Sequence, residues 1–203
     1  MSLAANFWQT KSLAQMNRQE WEAVCDGCAK CCLHKIIDEG DKEDSVKEES
    51  ATEDILSEVS AGQVDELPVN APQEDSANQV TPSQTAQLPN TEELHFTNVV
   101  CSYLNTKTCA CTQYADRDEL VPECVTLSQD NLHQLAYMPP SCSYRRLNEG
   151  KGLPSWHPLL HKNKKSEMHK AGMSVRGKTV FDKDVDERDF EDHIVIWPLN
   201  EID

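Results

Sequence analysis

Positive charge is scarce in this chain. Its 203 residues carry 19 Lys and Arg against 35 Asp and Glu, a formal net charge of -16 at pH 7. A surface of that sign repels phosphate backbones and anionic headgroups, so neither nucleic acid nor an anionic membrane is an expected partner. No apolar run approaches the roughly 20 residues that a spanning helix needs. Glycine is limited to 7 residues, and none lies in a phosphate-cradling Gly-rich loop. No spacing proposes a Ser-His-Asp set or a catalytic carboxylate pair. The first stretch, MSLAANFWQTKSLAQMNRQEW, has no basic flank followed by an apolar core. A signal peptide is therefore not expected, and the expected compartment is the cytoplasm.

Aromatic residues are absent from Asp38 to Asn90, where Asp, Glu, Ser, Gln, Pro and Ala dominate. The negative charge concentrates there too. Asp38 to Glu93 holds 16 acidic residues and two lysines, a net of -14, which leaves only -2 for the remaining 147 residues. Such a stretch buries too little apolar surface to offset the entropy of ordering it. The expected organisation is residues 1–37 and 93–203 as two parts of one metal-binding domain, with an acidic, disordered insert over 38–92. Loop-closure entropy grows slowly with length, so the body can tolerate such an excursion. The acidic insert also offers a docking segment for a protein partner.

Cysteine is what the chain has in excess. Four fall within eight residues, as C-x2-C-x2-C-C at Cys25, Cys28, Cys31 and Cys32. Cys101, Cys109, Cys111, Cys124 and Cys142 follow after the insert. In a reducing compartment, nine thiols read as metal ligands more readily than as a disulfide framework. A C-x2-C turn aims two thiolates at one ion or cluster, and Gly27 can take the backbone angles of such a turn. Zinc accepts four thiolates in a tetrahedron, and iron–sulfur clusters are also held by four. Repeated C-x2-C steps favour the cluster modestly over zinc. Nine cysteines can fill two four-thiolate sites with one over. Cys25, Cys28 and Cys31 are expected to share a centre with a distant fourth ligand, and Cys109, Cys111 and Cys124 to contribute to another. Cys31 and Cys32, being adjacent, can serve different centres.

Local patterns predict short elements. Asn17 caps a helix toward Cys25, with Glu20 completing a capping box and Leu13, Met16, Trp21 and Val24 supplying apolar contacts. Leu94, Phe96 and Val99 suggest a strand. Ser128 is the expected cap of a segment carrying Leu132 and Leu135. SCSYRRLNEGKG reads as a helix ending near Gly150. MSVRGKTVF reads as a strand pair turning at Arg176-Gly177, and DVDERDFEDHIVIWPL as a helix that ends before Pro198. The expected fold is α+β: a small, irregular, cysteine-rich, metal-supported domain. His34 is a candidate mixed-site ligand. His157, between Trp156 and Pro158, suits packing or a backbone hydrogen bond better. Arg145 and Arg146 read as a solvated helix face, with an anion or a negatively charged cluster as the alternative target. HKNKKSEMHK is a basic patch without the aromatic interleaving of a nucleic-acid surface.

The stretches FWQTKSLAQMNRQEWEAVCDGCAKCCLHK, FTNVVCSYLNTKTCACTQYADR, VPECVTLSQDNL, MPPSCSYRRLNEGKGLPSWHPLL, SVRG and DHIVIWP together cover nearly all of residues 7–37 and 93–198. On these residues the chain resembles the bacterial CxxCxxCC family of zinc- or iron-chelating domains, and within it the UPF0260 (YcgN-like) group. The resemblance implies that Cys25, Cys28, Cys31 and Cys32 are the chelating core and that the later cysteines complete the pattern. It names a metal-binding class and no reaction. Shorter relatives pass almost directly from the first motif to FTN, which marks 38–92 as peripheral. The expected function is a cytoplasmic protein coordinating one or two iron–sulfur clusters or zinc ions in a structural or redox role. A metal-dependent enzyme with an open coordination position, and an iron- or zinc-handling protein, are the alternatives.

Overall fold

A computed structural model describes residues 3–39 and 92–200. Of the acidic insert, residues 40–91 lie outside the described residues, and with them its expected disorder. The chain enters through a one-turn helix, α1 (Phe7–Thr10), and a 3₁₀ turn at Leu13–Gln15. Asn17 then starts α2 (Arg18–Val24) as its side chain predicts. Its Oδ1 accepts the Glu20 amide at 3.0 Å, and Glu20 Oε2 accepts the Asn17 amide at 3.0 Å. This satisfies two N–H groups that a helix start leaves unpaired. Glu20 is itself buried and also accepts Lys11 Nζ at 2.7 Å. Helix α2 ends at Val24, so Cys25 is delivered at its C-terminal cap.

The sheet is organised on one long strand. Strand β1 (Leu33–Glu39) pairs antiparallel with β2 (Glu92–Val100), running from Leu33↔Val100 to Glu39↔Glu92. The pairing thus reaches into both ends of the sequence segment 38–92. Between Leu33↔Val100 and Lys35↔Phe96 the register shifts, because β2 uses two more residues than β1. The Thr97 hydroxyl serves the interrupted ladder, donating to the His34 carbonyl at 2.9 Å and accepting the Val99 amide at 3.2 Å. Such a bulge keeps buried backbone groups paired while the strand bends. A small hairpin follows, β3 (Leu104–Asn105) against β4 (Ala110–Cys111).

Helix α3 (Arg117–Leu120) and helix α4 (Ser143–Asn148) flank a 3₁₀ stretch, Leu132–Tyr137. Helix α4 ends where expected, with Gly150 at a positive φ of 73°. Ser128 does not cap a helix. Its amide donates to Asn131 Oδ1 at 2.6 Å, and Asn131 Nδ2 donates to the Thr126 carbonyl at 2.7 Å. That knot of side-chain bonds competes with helix initiation and moves the start to Leu132. After α5 (Ser166–Lys170), the expected strand pair around Arg176-Gly177 does not form. The turn is present, but Val175 gives its amide to the Cys28 carbonyl at 3.1 Å. Only β5 (Val180–Phe181) is a strand, parallel to β2. The final segment is 3₁₀ over Glu187–His193 rather than α, then β6 (Ile194–Val195) antiparallel to β2. Pro198 sits inside a last 3₁₀ turn, where its missing N–H costs nothing.

Three buried apolar clusters result. One joins Phe7, Leu13, Met16, Trp21 and Val24 to Leu135, Met138 and Tyr144. A second gathers Ala29, Leu33, Phe96, Val100, Leu104, Cys109 and Val175 under the sheet. The third is Trp156, Met168 and Met173, with Cys28 packed on it. Val24 belongs to the first, Ala29 and Leu33 to the second, and Cys28 touches the third. The motif from Cys25 to Cys32 therefore runs through the junction of all three. The architecture is a small α+β domain with short elements.

Candidate metal centre

The CDGC turn is shaped by local chemistry. Asp26 is buried, and its Oδ1 accepts the Cys28 amide at 3.0 Å, closing the turn. Gly27 has φ +70°, and the Lys165 ammonium fills the space that a side chain there would need. The positive φ favours glycine, which adopts such angles without steric cost. Ala29 takes a left-handed φ of 64° and opens the 3₁₀ turn Lys30–Cys32. The Ala29 carbonyl accepts the Cys32 amide at 3.0 Å.

Tertiary packing adds a fourth thiol to this motif. Cys142 is the N-terminal cap of α4. The Tyr144 ring packs on Trp21 with centroids 4.7 Å apart, and its hydroxyl donates to the Trp21 carbonyl at 2.9 Å. This lays the start of α4 beside the end of α2. Lys30, fully buried, adds a second tie by donating to Ser141 Oγ at 2.8 Å and to the Pro198 carbonyl at 3.3 Å. Burial raises the Cys25 thiol pKa first, followed by the nearby Asp26, Cys31 and Cys142. Cys28 is raised in the same way, by burial and then by Asp26 and Cys31. Burial pushes Cys142 up to about 12, with Asp26 and Cys31 adding to it. Cys25, Cys28, Cys31 and Cys142 thus form one electrostatic neighbourhood. Cys25 and Cys31 are nonetheless exposed.

Cys32, Cys101, Cys111 and Cys124 are related by strand pairing and by their mutual electrostatics. Cys32 immediately precedes β1 and Cys101 immediately follows β2. Their antiparallel pairing brings the two together, and Cys101 donates its amide to the Cys32 carbonyl at 3.2 Å. The Cys101 carbonyl accepts the Leu104 amide at 2.9 Å, and Leu104 stands opposite Cys111 in the β3–β4 hairpin. Burial raises Cys124, and Cys31, Cys101 and Cys111 push it further. Arg117 opposes them, its guanidinium stacked 3.8 Å from the Tyr114 ring centroid. The two neighbourhoods meet at Cys31 and Cys32. There the Cys32 thiol donates to Cys31 and brings it down to about 7, with Lys35 assisting, while Cys32 itself is raised. Lys35 Nζ also donates to the Cys31 and Leu33 carbonyls, each at 3.0 Å.

Cys109, expected to contribute with Cys111 and Cys124, shares an apolar cluster with Cys32, which packs against it. It is buried in the apolar cluster beneath the sheet, its thiol 3.9 Å from the Thr106 carbonyl. His34 packs on Phe190 with ring centroids 5.0 Å apart, its Nε2 3.5 Å from Asp182 Oδ2. His157 is buried with both ring nitrogens engaged. Nδ1 accepts the Leu159 amide at 3.1 Å, so Nε2–H donates to the Val24 carbonyl at 2.9 Å. Burial lowers its pKa and keeps the ring neutral. Arg146 is buried rather than on a solvated face, its Nε donating to the Gly152 carbonyl at 3.3 Å. Arg145 pairs with Glu149 at 2.8 Å.

The spacing of cysteines could not reveal the buried polar groups around the first neighbourhood. Lys30 and Asp26 lie inside the motif, where a charge flanked by thiols was the available signal. Ser143 and Trp156 gave none. Both are buried, and Ser143 Oγ and Trp156 Nε1 have no hydrogen-bond partner among the described residues. Ser143 follows Cys142, and the Trp156 cluster packs against Cys28. Among the described residues, no three His, Cys, Asp or Glu side chains converge tightly enough to hold a single metal ion. Nor is any described helix long and apolar enough to cross a membrane.

Comparison with known proteins covers most of the chain. The family described as "CxxCxxCC: Putative zinc- or iron-chelating domain" matches residues 24–143, from the end of α2 to the start of α4. A UPF0260 protein of Shewanella baltica is 40% identical over 197 residues, spanning 97% of this chain and 99% of the relative. One of Shewanella oneidensis is 39% identical over the same shares, and one of Parvibaculum lavamentivorans is 39% identical over 95% of this chain and 93% of its own. No solved structure matches. The match begins at Val24 and ends at Ser143, taking in all nine cysteines, and together with the near full-length relatives it establishes that the chain belongs to the UPF0260 group of the CxxCxxCC family.

Proposed function

We propose that this chain is a metal-binding protein whose first centre is held by Cys25, Cys28, Cys31 and Cys142, with an iron–sulfur cluster favoured over zinc and a structural or redox role. The observation that carries the reading is the arrival of Cys142. Tyr144 and Lys30 bind α4 to the motif and bring the distant fourth thiol to the three local ones. Four thiolates are the complement that either occupant requires.

The surroundings support the fit. A bound cluster or ion converts neutral thiols to thiolates, and Lys30 is a buried cation beside Cys28 and Cys142 that balances them. A buried donor left unpaired costs about 1–3 kcal/mol. Ser143 Oγ and Trp156 Nε1 are two such donors beside ligands of this centre, and sulfur acceptors would relieve them. Zinc–sulfur bonds of about 2.3 Å require four sulfurs nearly in mutual contact. When bound, the cluster would supply one-electron chemistry or a cross-link between α2, the motif and α4.

All nine cysteines are free thiols, which suits a reducing compartment such as the cytoplasm. A second reading, metal handling, draws on the exposure of Cys25 and Cys31, through which metal could exchange. Anaerobic purification with iron, zinc and acid-labile sulfide measured per chain tests the proposal. Iron and sulfide in equal amounts are expected, reduced in the Cys142→Ser variant. Zinc without sulfide overturns the cluster, and a chain free of both metals overturns the reading. Metal lost within minutes to a chelator, with the fold intact, would move the conclusion to handling.

A further inference from the structure

We infer that the surface formed by residues 161–178 docks an acidic segment of a partner protein, a run of Asp and Glu side chains. This goes beyond the metal reading and does not rest on it. The stretch holds Lys162, Lys164, Lys165, Lys170, Arg176 and Lys178 against Glu167 alone, a net of +5 in a chain of -16. Lys170 meets Glu167 at 2.8 Å. Among the described residues, none of the other five cations has a carboxylate within ion-pair distance. Acidic side chains are close by in the sequence, since residues 182–192 hold seven against Lys183 and Arg188. The fold does not spend them on these cations. Asp182 pairs with Ser102 and His34, and Asp186 with Arg188.

Packing gathers the cations and fixes them. Met168 and Met173 are buried with Trp156, and Val175 is buried beneath the sheet, its amide held by the Cys28 carbonyl at 3.1 Å. These apolar anchors pin the stretch, while Lys162, Lys164, Lys170 and Arg176 stay exposed around them. The two ends of the stretch meet at His169. Its amide donates to the Lys165 carbonyl at 3.1 Å, and its Nδ1 lies 2.8 Å from Ser174 Oγ. Burial lowers its pKa first, and the charges of Arg176 and Lys165 lower it further. Lys165 also lies against Gly27, so the patch adjoins the CDGC turn.

The groups that hold these cations leave their charge intact. Arg176 donates to the Lys107 carbonyl. Lys178 donates to the Gly172 carbonyl and lies 4.5 Å from the Trp197 ring centroid. A carbonyl or a ring face orients a cation without the net negative charge that would cancel it. Lys162 and Asn163 take left-handed φ values of 55° and 59°. Lysine pays a steric cost there, and the Pro158 carbonyl holds the turn by accepting the Asn163 amide at 2.8 Å. Unpaired like charges on one short stretch repel each other, and carboxylates from a partner relieve that repulsion.

An acidic protein segment fits this surface better than nucleic acid does. Screening confines the field of the patch to about 8 Å at physiological salt. A short run of carboxylates meets the patch alone, whereas a long phosphate backbone continues onto the acidic remainder of the chain and is repelled. Residues 161–178 include no Phe, Tyr or Trp on which bases could stack, and the nearby Trp197 ring is capped by Lys178.

The test uses the full chain and a fluorescein-labelled peptide of about ten alternating Glu and Asp residues, read by fluorescence anisotropy. Saturable binding is expected, weakening about tenfold as salt rises from about 50 to about 200 mM. Lys164→Ala combined with Arg176→Ala should weaken it about fivefold. Lys183→Ala combined with Arg188→Ala removes the same charge from the acidic stretch and should leave binding unchanged. Circular dichroism checks each variant, and Lys162→Ala with Lys170→Ala, both exposed, replaces the first pair if that pair unfolds. No binding by wild type at about 50 mM salt, or no greater weakening by the patch pair than by the control pair, overturns the proposal. A DNA duplex of about 12 base pairs that binds more tightly than the peptide, and is weakened by the same patch pair, overturns the acidic-protein assignment in favour of nucleic acid.

Discussion

Cys142 is brought to Cys25 by tertiary contacts alone: the Trp21–Tyr144 packing, and the bond from Lys30 to Ser141, 111 positions away in the chain. Cys101 reaches Cys32 by a single backbone bond at the end of two paired strands. The surroundings differ accordingly. The first group is walled by buried Asp26 and Lys30 and by two unpaired donors. The second, partly exposed throughout, is edged by Lys35 on β1 and Arg117 on α3. Local hydrogen bonding can place thiols at the end of a sheet, but a thiol carried on a separate helix must be fixed by the core. The first group therefore depends on packing in helices α2 and α4, the second on the register of β1 and β2.

Breaking one side without the other sharpens this contrast. The largest effect is expected at Lys30. Lys30→Met removes the donor shared by the buried Ser141 hydroxyl and the Pro198 carbonyl, and two acceptors left unpaired cost about 3 kcal/mol. Denaturant melts should register it, and metal should be lost from the Cys142 side first. Thr97→Val is the corresponding break on the sheet. It strips a bonding partner from the buried Val99 amide and the His34 carbonyl, for about 2 kcal/mol. It should leave Cys142-dependent metal binding nearly unchanged. Tyr144→Phe keeps the ring contact and loses only the bond to the Trp21 carbonyl, about 1–1.5 kcal/mol, with the opposite preference. Equal losses of metal in these two variants would refute the contrast.

Asn17→Ala, which removes the cap of α2, should cost about 1 kcal/mol in thermal or chemical melts. The smallest effect is a pH slope. His157 has its pKa lowered in the fold, chiefly by burial, below the ordinary value of about 6.5. The unfolded chain therefore takes up the proton first. The stability His157 contributes is full above about pH 6.5 and is lost as pH falls toward the folded value. His157→Gln should flatten that slope relative to wild type when both are unfolded by denaturant between pH 7 and 5. An unchanged slope would assign the acid sensitivity to other groups.

Short-range rules made part of this legible in advance. Asn17 and Glu20 specify a helix start because the capping bonds span three residues. Gly150 marks a helix end for a similar reason, and Phe96 and Val99 mark a strand by their β-branched and aromatic surroundings. The α+β class follows from the same local logic. Predictions failed where distant groups competed for the backbone. Val175 bonded the Cys28 carbonyl instead of a neighbouring strand, and Asn131 diverted the turn that Ser128 was expected to start.

The sequence by itself determined that this chain has nine thiols in the spacing of the CxxCxxCC family, an acidic segment between two parts of the pattern, and a helix that ends at the first cysteine. Spacing carries that information because a CxxC turn is a matter of a few backbone angles. Only the tertiary structure decided which cysteines become neighbours. Cys142 and Cys124 both lie far from the motif, and nothing in their local sequence says which of the two faces Cys25. That choice was made by the packing of Tyr144 on Trp21 and by the register of β1 on β2. Cys109 was drawn inward by the apolar core, although Cys111, two residues on, faces the other thiols. Burial and hydrogen bonding act on surfaces that exist only once the chain has folded, and they set the partners that linear spacing leaves open.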